Sequence, residues 1–153
     1  MYYYNGGYIL DEIAFAPELS NKKIADIILA KEKQALVIAD SAEPKSIDEI
    51  RSYGVTIMPA QKGPGSVNQG IQYVQAQKIS VTKHSLNILN EYNNYAWLVD
   101  KEDITTNDPK PGYDHSMDAI RYAIASIRNP NQISATVHYS EASTPRPLLP
   151  VTP

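Results

Sequence analysis

The sequence predicts an α/β fold, a mixed sheet flanked by helices. Three observations carry this. The chain opens with a hairpin signature, Tyr2-Tyr3-Tyr4-Asn5-Gly6-Gly7-Tyr8-Ile9-Leu10. Short apolar runs bounded by turn residues then alternate with segments of helical period. A strongly periodic helix closes the patterned region. A hairpin followed by βα alternation joins antiparallel to parallel strands. In open sheets of this kind, chemistry gathers at the carboxyl ends of strands.

Each element follows from local chemistry. Aromatic and β-branched residues suit the hairpin strands, and Asn5-Gly6-Gly7 supplies the positive φ angles of a tight turn. The second strand is expected from Tyr8 to about Phe15, where Pro17 breaks it. Ser20 is a candidate N-cap, and Ile24, Ile27 and Ile28 follow at helical spacing to about Lys33. Ala35-Leu36-Val37-Ile38-Ala39 is an unbroken apolar run that reads as a buried, parallel strand. Ser46, with Glu49 in the capping-box position, predicts a helix to about Tyr53, stopped by Gly54. Val55–Met58 is a further strand, ended by Pro59. The turn-rich Lys62-Gly63-Pro64-Gly65-Ser66 leads into a helix holding Val67, Ile71 and Val74. Ile79–Thr82 reads as a strand and Ser85–Tyr92 as a helix. Residues 93–112 are expected to be irregular, with one short strand around Tyr95–Val99. The last helix starts near Asp114, with Ile120, Ala123, Ile124 and Ile127 as its aliphatic stripe. These elements define one domain over residues 1–128. Residues 129–153 are expected to be a Pro-rich, extended or disordered tail.

Composition limits the function. With 153 residues, 42% hydrophobic and 20% charged, the chain suits one globular domain rather than a disordered segment. No apolar run approaches the roughly 20 residues that span a bilayer, and no signal peptide is expected at the start. Cys is absent, which excludes disulfides and thiolate metal sites. A net charge of -3 argues against a broadly basic nucleic-acid binder, though not against a local basic groove or a metal-bridged contact.

Three groups of residues have chemical potential. Asp40 directly follows the apolar strand and so sits at its carboxyl end. A carboxylate there either holds a hard divalent cation or caps the following turn. Glu43 is a partner for it or a solvated loop charge. The second group is Tyr113-Asp114-His115-Ser116-Met117-Asp118-Ala119-Ile120-Arg121-Tyr122. On a helix His115 and Asp118 lie three apart and share a face that Tyr122 extends, opposite the aliphatic stripe. That face is either aimed at a second surface or an ordinary polar one with acids near the helix N-terminus. Zinc is disfavoured, since HExxH is missing. The third group is Lys62–Ser66. Glycines ahead of a helix N-terminus, with a lysine, suit a phosphate, although a plain helix-capping turn has the same composition. It is not a Walker A loop, and no GxSxG elbow is present. His84 and His138 have no partner visible in the sequence.

The segments Ala39-Asp40-Ser41-Ala42-Glu43-Pro44-Lys45-Ser46, Lys62-Gly63-Pro64-Gly65-Ser66 with Gly70-Ile71, and Asp114-His115-Ser116-Met117-Asp118-Ala119-Ile120-Arg121-Tyr122, in this order, resemble the C-terminal nuclease domain of phage terminase large subunits. The resemblance runs from about Tyr2 to Ile127. It implies an RNase H-like fold and a Mg²⁺- or Mn²⁺-dependent endonuclease that cuts concatemeric double-stranded DNA during packaging by a two-metal mechanism. It places catalytic and metal-binding roles on Asp40, Asp118 and His115, the last as ligand or proton shuttle. Lys62, Ser66 and Arg121 are the candidates for DNA contact, with pairing of Arg121 to Asp114 or Asp118 as the alternative. The expected setting is the cytoplasm of an infected or lysogenic bacterium, and the expected partners are an ATPase region, a small subunit and a portal protein.

The family's first strand, which carries another catalytic Asp ahead of such a hairpin, has no counterpart in this sequence. Asp11 and Glu12 do not match its position. The fold is therefore expected to be N-terminally truncated, its activity alone weak or absent, and a sheet edge open to self-association or to another chain. The competing readings are a non-catalytic remnant acting as a binding or assembly module, and another RNase H-like enzyme such as a resolvase or integrase.

Overall fold

A computed structural model describes residues 1–128 of the chain. Strands β1 (Tyr2–Tyr4) and β2 (Gly7–Leu10) form the predicted hairpin, antiparallel with Tyr3 opposite Tyr8. Asn5 and Gly6 both adopt positive φ in its turn. Next come α1 (Asn21–Lys31), β3 (Val37–Ala39), α2 (Pro44–Ser52), β4 (Ile57–Pro59), α3 (Ser66–Gln75) and β5 (Ile79–Val81). They are followed by α4 (Leu86–Asn94), β6 (Trp97–Val99), β7 (Thr105–Pro109) and α5 (His115–Arg128). The mixed α/β character is as predicted.

Among the described residues the strands form three small sheets rather than one. β2 lies between β1 and β5, antiparallel to the first and parallel to the second. Gly7 permits the β5 approach: a Cβ there would lie 2.7 Å from the Lys78 carbonyl oxygen. β3 and β4 form a separate parallel pair, as predicted, but β3 covers only Val37–Ala39 of the apolar run and is half-buried rather than buried, since no third strand lies beside the pair among the described residues. β6 and β7 form an antiparallel pair.

The main core lies where α1 and α2 cover the β3–β4 pair. Ala25, Ile47, Ile50, Val55 and Ile57 are buried there, with Ile24, Ile28, Leu29, Val37 and Ala39 packed against them. The backbone at the end of β3 is fixed by the Ala60 N–H, which donates to the Ala39 carbonyl at 2.7 Å. Asp40 therefore leaves a strand whose last residue is anchored.

Several local expectations are corrected. Ser20 does cap α1, accepting from the Lys23 N–H. Ser46 does not cap α2. That helix starts at Pro44, whose fixed φ and missing N–H suit the first helical position. Glu43 is its N-cap, and the Ser46 hydroxyl donates to the Glu43 carboxylate. β2 ends at Leu10 rather than near Phe15, because the backbone beyond it pairs with side chains. The Glu12 N–H donates to Ser85 Oγ, and the Glu12 carboxylate accepts from the Asn87 and Ile88 N–H groups that open α4. His84 has a partner after all: its Nε2 lies 2.6 Å from Asp11 Oδ1, and Lys31 also pairs with Asp11. The region expected to be irregular holds the β6–β7 hairpin, with the Lys110 N–H donating to the Ala96 carbonyl. His138 and the Pro-rich segment lie outside the described residues.

Candidate functional site

Asp40 extends from the carboxyl end of β3, and its Oδ1 accepts from the Ala42 N–H at 2.9 Å. It therefore closes the local turn, one of the two roles open to it. It is also 2.5 Å from the ammonium of Lys62, on the loop before α3. That loop folds on itself: Ser66 Oγ accepts from the Gly63 N–H, and Gly65 takes positive φ as the helix N-cap.

Helix α5 brings Asp118 to the same place, packing against α3, α4 and β3. Ile124 on α5 is fully buried, and so is most of Tyr122 and Arg121. The Arg121–Tyr122 part of the helix thus packs on the protein, while His115, expected on the same face, does not. Part of the aliphatic stripe, Ile120 and Ala123, lines an open apolar cavity instead. Arg121 donates to Asp118 Oδ1 at 2.6 Å, and the Tyr122 hydroxyl donates to Asp118 Oδ2 at 3.2 Å.

Tyr122 is the hub that joins the two acids. The Lys62 ammonium lies 5.1 Å from its ring centroid and the Arg121 guanidinium 4.6 Å, within cation–π range. Its hydroxyl donates to Asp118, and its ring meets the cation that pairs with Asp40. Asp40 is held below the ordinary carboxylate range, first by the Lys62 hydrogen bond, with lesser help from the Ala42 N–H and Tyr122 and against a burial penalty. Lys62 is raised in turn, chiefly by Asp40. Burial pulls Arg121 down, but pairing with Asp118 outweighs it and the guanidinium stays charged. Tyr95, at the foot of the β6–β7 hairpin, is pushed up by burial and by the Asp118 charge. Two carboxylates are thus matched by two cations on one aromatic ring.

His115 stands apart from this group. Its imidazole is 73% exposed, with Nδ1 3.4 Å from Glu91 and 3.7 Å from Asp114. It meets the Phe15 ring edge-on. Glu91 is buried and accepts from the Ser116 N–H at 2.5 Å, so it caps α5 from another helix. Among the described residues, no group of three or more His, Asp or Glu side chains is arranged to hold a metal. Asp40 and Asp118 are hard oxygen donors nonetheless. A pair of carboxylates fits Mg²⁺-type ions, which use one or two carboxylates and fill the rest with water and substrate phosphate. Glu43 bonds to Ser46 instead of supporting Asp40.

Two contributors were not foreseen as such: Gly70 and Glu91. A Cβ on Gly70 would lie 2.7 Å from Arg121 Cγ, so this glycine makes the slot in which Arg121 lies. Neither the Gly70–Arg121 packing nor the Glu91 cap leaves a periodic signal in the sequence.

The family model described as the terminase RNase H-like domain matches residues 3–126. The chain belongs to that family. The terminase domain is also similar to the crystal structure of the large terminase nuclease domain of bacteriophage SPP1, solved with bound Mn. The two superpose with a TM-score of 0.66 at 32% identity, covering 72% of this chain and 65% of that one. Over its matched length the large terminase subunit of Bacillus phage SPP1 is 34% identical, covering 76% of this chain and 28% of that protein. The PBSX phage terminase large subunit of Bacillus subtilis strain 168 is 37% identical, covering 61% and 22%. The terminase domain thus spans about a quarter of the length of these two relatives. Its fold is RNase H-like, as the sequence resemblance implies. No described helix is long and apolar enough to cross a membrane.

Proposed function

We propose that this domain hydrolyses phosphodiester bonds of concatemeric double-stranded DNA during genome packaging, with Asp40 and Asp118 as ligands of Mg²⁺ or Mn²⁺. One observation carries the reading. The acid in the first turn of α5 accepts from the Tyr122 hydroxyl, and the acid at the carboxyl end of β3 pairs with the Lys62 ammonium that lies over the same ring. The Mn in the SPP1 nuclease crystal supports a divalent ion here as well.

Asp40 and Asp118 would hold the ions, which when bound would supply an activated water and charge stabilisation at the leaving 3′ oxygen in a two-metal hydrolysis. The residues of the chain do the rest. Arg121 fixes the rotamer of Asp118, and Tyr122 closes the floor of the site against water. His115, exposed beside Glu91 and Asp114, is assigned the role of ligand or proton shuttle. Lys62 and the backbone before Ser66 take a DNA phosphate at the amino end of α3, while Arg121, the other candidate for DNA contact, is buried and paired with Asp118. Two carboxylates rather than three meet among the described residues, so the activity of this chain alone is weak or absent. The ATPase region, small subunit and portal protein are its partners in the cytoplasm of an infected or lysogenic bacterium. An open sheet edge offers a route to self-association.

The test is plasmid nicking during a Mn²⁺ titration. Asp40→Ala and Asp118→Ala are expected to abolish both cleavage and metal binding. If either variant matches the parent chain in both, the assignment is wrong. The same two-carboxylate count favours a second reading, a catalytically inactive remnant that binds or assembles. Full Mn²⁺ binding without nicking selects it. Preferential cutting of branched over linear duplex selects a resolvase-type enzyme instead.

A further inference from the structure

The two acids are held in different ways. Arg121 is a fixture: its side chain is 7% exposed, and it lies in the slot left by Gly70. It does not leave Asp118 without disturbing the packing of α3 on α5. Lys62 is 40% exposed, on a loop, and grips an Asp40 carboxylate that is itself 52% exposed. Its other contact is the face of the Tyr122 ring. A lysine ammonium is a compact cation on a flexible stem. Here it sits on a carboxylate oxygen that a hard divalent ion needs.

We propose that Lys62 is the resident cation of the site: it occupies Asp40 until a divalent ion displaces it, and the released ammonium then takes a phosphate of the incoming DNA. This rests on the nuclease reading above. Metal and DNA binding are then linked and reciprocal, because each favours the arrangement with Lys62 free. The cost of displacing an exposed lysine is modest, so the effect on metal affinity is a shift rather than a block. Arg121 remains on Asp118 throughout and keeps that carboxylate oriented. The arrangement also protects the site before metal arrives. Two carboxylates around one aromatic ring repel when bare, and each cation reduces that repulsion.

The full chain, Lys62→Met and Asp40→Asn are compared by calorimetric titration with Mn²⁺ alone. Circular dichroism checks folding, and the exposure of Lys62 makes Lys62→Met compatible with the fold. Removing the competitor and its charge is expected to tighten Mn²⁺ binding about three- to tenfold, whereas Asp40→Asn loses it. Lys62 acetylation in the parent chain, followed by mass spectrometry, should speed up on adding Mn²⁺ while other lysines do not change. A purely structural lysine gives no such response. Unchanged or weaker Mn²⁺ affinity in Lys62→Met, or acetylation indifferent to Mn²⁺, overturns the proposal while loss of binding in Asp40→Asn leaves the metal site standing. Parent-like Mn²⁺ binding by Asp40→Asn overturns both.

Discussion

Gly70 on α3 and Arg121 on α5 are in such close contact that any β-carbon at position 70 would meet the arginine stem at 2.7–2.8 Å. The helices approach at this point because one of them carries no side chain. The guanidinium beyond the contact is the partner of Asp118. A packing requirement and the orientation of a carboxylate are thus the same requirement.

Gly70→Ala should therefore destabilise the domain. Overpacking a filled interface costs about 1–3 kcal/mol, and the helix propensity gained by alanine returns only about 1 kcal/mol of it. Urea unfolding measures the balance. A variant as stable as the parent, with unchanged Mn²⁺ affinity, would mean that Arg121 moves freely and does not position Asp118.

Tyr122 separates two contributions. Tyr122→Phe keeps the ring beneath both cations and loses the hydroxyl bonds, which is worth about 0.5–1.5 kcal/mol. Tyr122→Ala removes a buried aromatic and should cost about 3–5 kcal/mol. Similar losses in the two variants would show that the ring contributes little beyond its hydroxyl.

Acid should weaken the fold through Asp11 and Asp40. Asp11 lies below its ordinary value of 3.8, chiefly through the Thr82 hydroxyl, with Lys31 and His84 adding to it. Asp40 lies below the same value, chiefly through Lys62. Carboxyls depressed in the folded state contribute stability above their unfolded pKa and lose it as pH falls through the folded one. Asp11→Asn should be less stable than the parent at neutral pH, and the gap should close as the pH drops below about 4. A gap that stays constant to low pH would remove Asp11 from the account.

Glu91 caps α5 at Ser116 from inside the protein. Glu91→Ala leaves that buried N–H without its acceptor and should cost about 1–3 kcal/mol. Glu91→Gln retains an acceptor and loses the charge facing the helix dipole, about 0.3–1 kcal/mol. Equal costs in thermal unfolding would argue that the cap is not a hydrogen bond to Ser116.

If Lys62 takes a DNA phosphate, Lys62→Ala should lower the slope of log affinity against log salt by about 1. The measurement is fluorescence anisotropy on a duplex oligonucleotide across a salt series. An unchanged affinity and slope would remove Lys62 from the interface.

What the sequence made legible was local. The Asn5-Gly6 turn, the Ser20 cap and the parallel strand ahead of Asp40 are written in adjacent residues. The Ser46 cap was misread because Pro44, two residues earlier, is a stronger start signal. The β7 strand, Thr105-Thr106-Asn107-Asp108-Pro109, ends in three residues that disfavour strands, which hides it in the sequence, and it is held by its partner β6. At the candidate site the individual acids were visible, but their partners were less so. Asp118 and Arg121 lie three apart, and that pairing was one of the alternatives. Asp40 and Lys62 lie 22 apart, so their contact exists only in the folded chain. The Asp11–His84 pair, 73 apart, was missed for the same reason.

The Glu12 cap on α4 has a bearing on the order of assembly. Its carboxylate reaches 75 and 76 positions along the chain to the Asn87 and Ile88 amides. The main core, by contrast, draws its buried residues from Ala25 to Ile57. Contacts close in sequence form before distant ones, because less loop entropy is lost. The nascent polypeptide therefore consolidates its middle first, and the start of α4 is secured only when the amino-terminal hairpin docks. Pulse-labelling of amide hydrogens during refolding should protect Val37, whose N–H donates to the Thr56 carbonyl, ahead of Ile88, and the reverse sequence would refute that itinerary.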